Sequence, residues 1–108
     1  MIGVDTNVLL RHATQDDPVQ PAQARAFMKS LTPEDPGFIS LVTLVELAWT
    51  LRKSYHVDNE TVGALIGGLL GAQELLVQEP DIVRRVARES VSTYVDFADL
   101  LIAHLGIS

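Results

Sequence analysis

The sequence predicts an α/β fold in which a parallel sheet is flanked by helices, all in one domain. Three observations carry that expectation. Short apolar runs without polar alternation stand at Met1–Val4, Phe38–Ile39 and Leu75–Val77, as suits strands buried on both faces. The stretches between them place apolar residues at helical spacing, and strand and helix alternate in the way that builds parallel sheets. With 108 residues, 47% of them hydrophobic, the chain has the size for one small core, so a single domain over residues 1–108 is expected.

Each element has its own signals. Met1 to Val4 reads as a buried strand ending at Asp5. Thr6 and Asn7 are good helix caps directly before Val8, Leu9 and Leu10, so the chain turns there from strand to helix. Gln15-Asp16-Asp17-Pro18 opens a second helix to about Leu31, with Ala22, Ala26, Phe27 and Leu31 inside and Arg25 and Lys29 outside. Thr32 to Gly37 is a loop by its turn residues. After the strand at Phe38–Ile39, Ser40 can cap a helix from Leu41 to Tyr55, whose apolar content predicts that it lies largely inside. Asp58 or Asn59 caps a fourth helix through Leu70, in which Gly63, Gly67 and Gly68 suggest close helix packing. Leu75–Val77 follows as a buried strand. Pro80-Asp81 then starts a helix with Ile82, Val83, Val86 and Ala87 on one side and Arg84, Arg85 and Arg88 on the other. The last helix begins near Val95-Asp96-Phe97-Ala98-Asp99.

Composition narrows the function. The chain has no cysteine, which excludes disulfides, thiolate metal sites and cysteine nucleophiles and fits a reducing compartment. No signal-peptide pattern and no membrane-length apolar run are present, so a cytoplasmic protein without membrane association is expected. A net charge of −6 argues against broad, charge-driven nucleic-acid binding. It leaves room for binding through divalent ions, which reverse the local sign at clustered carboxylates.

Of fourteen acidic residues, three stand in apolar stretches where solvated charge is not expected: Asp5, Glu46 and Asp99. Burying an isolated carboxylate is costly unless it is paired or binds a metal, so three that converge call for a cation. The crevice outside the strand ends, where Asp5 falls, is the usual ligand position in open α/β sheets, and oxygen ligands suit a hard ion such as Mg²⁺. Local readings compete with this. Asp5 can simply cap its helix, and Thr43-Leu44-Val45-Glu46 matches a capping box, although Ser40 is the better cap after the strand. Asp96 can cap the last helix with Asp99 in its first turn. His12, His56 and His104 have no nucleophile–base spacing, and His104 suits the negative end of its helix. Arg11, one turn after Asn7, can meet a substrate phosphate or form a surface ion pair.

Val-Asp-Thr-Asn-Val-Leu-Leu-Arg at the start, Phe-Ile-Ser-Leu-Val-Thr-Leu-Val-Glu-Leu-Ala-Trp-Thr-Leu in the middle and Asp-Phe-Ala-Asp-Leu-Leu-Ile-Ala near the end resemble the PIN domain, and within it the VapC toxins. The resemblance runs in register over essentially the whole chain. It implies a three-layer fold with a parallel five-stranded sheet between helices, and Mg²⁺- or Mn²⁺-dependent cleavage of RNA. By motif matching, Asp5, Glu46 and Asp99 correspond to the family's first, second and third acids, with Asp96 beside the third as an auxiliary metal ligand. Thr6 and Asn7 match the polar pair lining the site, and with Arg11 they form the substrate-binding group. A cognate antitoxin and a homodimer are the partners implied. The family's further strand with a Thr-x-Asp type motif, and its final helix, find no counterpart before Ser108, so a C-terminally truncated fold with weak metal binding is expected. A rival of another class is a catalytically impaired remnant that binds antitoxin or dimerises. A phosphatase with Asp5 as nucleophile would want a second acid two residues on, where Asn7 stands.

Overall fold

Three short parallel strands, each leading into a helix, organise the molecule, and a computed structural model describes residues 1–14 and 26–106. Strand β1 is Ile2–Gly3, helix α1 is Thr6–Thr14, and a helical segment, α2, is described over residues 26–30. Then come β2 (Gly37–Ile39), α3 (Leu41–Lys53), α4 (Asn59–Gly71), β3 (Leu75–Val77), α5 (Pro80–Thr93) and α6 (Phe97–His104). The expected cap at Gln15–Pro18 and the positions Ala22 and Arg25 lie outside the described residues. Ala26, expected inside, is exposed, while Leu31 just past α2 is buried.

The sheet runs β1-β2-β3, all parallel, with Ile2 opposite Gly37, Gly37 opposite Leu75 and Ile39 opposite Val77. The α/β fold with a parallel sheet flanked by helices is therefore as expected, although three strands are described where the resemblance implies five. β1 is not the buried strand that its composition suggests. Among the described residues it pairs on one side, with β2, so Ile2 and Gly3 at the edge of the described sheet are exposed and burial begins at Val4, whose N–H donates to Phe38 O at 2.8 Å. β3 likewise alternates, with Leu75 and Val77 buried and Leu76 exposed, because helices cover the face that also carries Gly37 and Ile39.

Leu44, Leu47, Ala48 and Leu51 of α3 meet Val62 and Ile66 of α4, Val83 and Val86 of α5, and Phe97 and Leu101 of α6 in one core. α3 is less internal than expected. Val42 is 69% exposed and Trp49 37%, because one face of the helix is packed and the opposite one meets solvent. Of the α4 glycines, Gly63 is at a close approach, where a Cβ would stand 3.2 Å from Val91 Cγ2 of α5; at Gly67 and Gly68 nothing lies within 4 Å, so packing does not explain them. Asn59 ties these helices together, its Nδ2 donating to Ser90 O at 2.9 Å and to Val95 O at 2.8 Å. No helix among the described residues is long and apolar enough to cross a membrane.

Candidate functional site

The chain passes from β1 to α1 through Asp5, whose Oδ1 accepts the Asn7 N–H at 2.8 Å. Asp5 is thus a helix cap, satisfying an amide that the first turn leaves unpaired and placing its charge at the positive end of the helix. The cap uses one carboxylate oxygen of two. Next to it, Thr6 Oγ1 donates to Glu46 Oε1 at 3.2 Å, bridging forty positions of sequence to join the start of α1 to α3.

Glu46 takes no part in a capping box. Ser40 caps α3 instead, its Oγ accepting the Thr43 N–H at 3.1 Å, which leaves Glu46 in the middle of the helix on its exposed side. Residues three apart on a helix are neighbours, and Glu46, Trp49 and Arg52 form such a row. Trp49 Nε1 donates to Asp99 Oδ1 at 3.4 Å. Arg52 Nε lies 3.4 Å from Asp96 Oδ2, and its Nη1 donates to Val57 O at 3.1 Å. One stripe of α3 therefore touches, in order, the start of α1, the first turn of α6 and the cap of α6.

That cap is Asp96, as its sequence position allowed: Oδ1 accepts the amides of Ala98 at 2.9 Å and Asp99 at 3.4 Å. Arg52 and Asp96 are half-buried, whereas Asp5, Glu46 and Asp99 are exposed. This corrects the expectation drawn from their apolar flanks. At the solvent edge each carboxylate keeps its hydration, so burial does not itself demand a cation. Among the described residues, no three acidic or histidine side chains stand close enough to hold an ion jointly. Among the described residues, the three acids are instead held by donors from Asn7, Thr6 and Trp49 respectively.

The donor chemistry nevertheless fits a hard cation, since carboxylates and a threonine hydroxyl are the oxygen ligands that Mg²⁺ and Mn²⁺ take, and an exposed site admits an ion that keeps several waters. Asn7 and Arg11 are exposed on α1, with Arg11 in its last turn. His104 pairs with Glu89 across the α5–α6 contact, Nε2 to Oε2 at 3.1 Å, which accounts for it without catalysis. Sequence reasoning missed Trp49 and Arg52; their three-residue spacing from Glu46 was the available signal.

The family model described as PIN domain matches residues 2–108 of the chain. No curated protein and no solved structure matches it.

Proposed function

The chain belongs to the PIN domain family, a nuclease-type fold, and from that premise we propose that it is a metal-dependent endoribonuclease, the toxin of a VapBC-type toxin–antitoxin pair. The observation that carries this reading is the α3 stripe, which links the helix starts bearing Asp5 and Asp99 to Glu46 through Thr6 and Trp49. Both helix starts are thereby tied to α3, although the three carboxylates do not stand close enough to hold an ion jointly.

In this reading Asp5, Glu46 and Asp99 would hold Mg²⁺ or Mn²⁺ by drawing together from the separated positions they have in the structure. The bound ion would supply an activated water and neutralise charge on the scissile phosphate. The chain's own groups prepare that site. The Asn7 amide orients Asp5, and the Thr6 hydroxyl orients Glu46. Asp96 starts α6 in the register that presents Asp99, and Arg52 anchors Asp96 to α3. Arg11, on the same helix as Asn7, is the cation offered to an RNA phosphate in a protein whose net charge is −6. A cognate antitoxin and a second copy of the chain are the proposed protein partners, and the cytoplasm the proposed compartment.

The test is metal-dependent cleavage of RNA by the protein and by Asp5→Asn, Glu46→Gln and Asp99→Asn. Each substitution should lower cleavage by more than the roughly 10- to 100-fold that loss of an outer hydrogen-bonding partner costs, with the circular dichroism spectrum preserved. The separation of the carboxylates favours a second reading, a non-catalytic module that binds antitoxin. Tight antitoxin binding with no cleavage in either metal would establish it in place of the first.

A further inference from the structure

Trp49 stands out as an indole directed at an acid rather than into the core. It is the single tryptophan of the chain, it is 37% exposed, and its N–H is directed to Asp99 Oδ1 at 3.4 Å. Lys53, one turn further along α3, places Nζ 5.5 Å from the centre of the ring, a cation–π distance that steadies the indole from its face. The ring is thus braced at one side and hydrogen-bonded at the other, although Asp99 belongs to a different helix fifty positions away.

We propose that Trp49 is a positioning residue for Asp99: its indole N–H holds Oδ1 of the carboxylate and leaves Oδ2 as the oxygen offered to a divalent cation. The proposal rests on the reading above that Asp99 is a metal ligand. Ligating carboxylates work best when their second oxygen is hydrogen-bonded, since the bond fixes the direction of the first, and loss of such a partner costs about 10- to 100-fold in metal affinity. At 3.4 Å the bond is long, as catalytic hydrogen bonds often are before the site is loaded, and it is expected to shorten when the ion binds.

With a single tryptophan, the protein has one indole N–H resonance, which reports on this contact alone. In metal-free buffer Asp99→Asn should shift that resonance. Titration of the wild type with MgCl₂ should move it saturably, in step with a calorimetric heat that Asp5→Asn abolishes. Trp49→Phe, which retains a ring but removes the donor, should bind Mg²⁺ roughly 10- to 100-fold more weakly by calorimetry. Should Trp49→Phe fail to fold, the wild-type resonance still decides the matter. Calorimetric binding that leaves the indole resonance in place overturns the proposal and leaves the nuclease reading standing. No calorimetric binding of Mg²⁺ or Mn²⁺ to the wild type overturns both.

Discussion

Short-range capping explains what several polar residues do. Asp58 begins α4 by accepting the Thr61 N–H at 2.7 Å, as Asp5 begins α1 and Asp96 begins α6. The hydroxyl and amide of Thr61, aided by the nearby Arg52 charge, hold the Asp58 carboxyl below its ordinary range. Because the folded value is the lower one, the cap contributes stability above the unfolded value and loses it as pH falls through the folded one. The Thr61 amide resonance should therefore titrate with an inflection below the ordinary aspartate value. An inflection at or above the ordinary aspartate value would contradict the capping geometry.

Among elements, β2 is the most constrained, because it lies between the other two strands and its first residue has no room for a side chain. A Cβ on Gly37 would stand 2.6 Å from Val4 Cγ2, 2.8 Å from Leu31 Cδ1 and 3.3 Å from Leu75 Cδ2. Neighbours from just past β1, just past α2 and within β3 all close on this point, so relief for one crowds another. Gly37→Ala should destabilise by about 1–3 kcal/mol, the usual cost of overfilling a packed interior. Gly67→Ala makes the contrast, since α4 leaves open space there and alanine is the better helix former by roughly 1 kcal/mol. Urea midpoints for the two variants should move in opposite directions. A fall in both would mean that the open side of α4 is not open in solution.

At the scale of the molecule, the sheet face opposite Gly37 and Ile39 carries a half-buried Phe38 and a Leu76 that is 48% exposed. Val42 and Trp49 add exposed apolar surface on α3. Leu9 and Leu51 are 2% and 1% exposed and belong to the core. These exposed apolar side chains suit the proposed homodimer, because exposed apolar surface on small proteins commonly marks interfaces. Sedimentation should show a concentration-dependent dimer, and a single monomeric species at high concentration would dismiss it.

What the sequence determined by itself is local. Ser40, Asp58 and Asp96 were legible as caps because a cap is made within three residues, and Val83, Val86 and Ala87 declared the inner side of α5 because polar residues mark the other side. The order of strands and helices, and hence the α/β class, followed from the same short-range patterns. The tertiary structure alone decided which way α3 faces, since a helix apolar on most sides carries no direction until its neighbours choose one. It also decided that Asp5, Glu46 and Asp99 are exposed, that β1 lies at an edge of the described sheet, and that Thr6 and Trp49 each hold an acid from another helix. Those contacts span forty and fifty positions, and no local pattern encodes them. They exist because one core draws α1, α3 and α6 together, and the polar side chains at its rim pair with whatever that packing brings within reach.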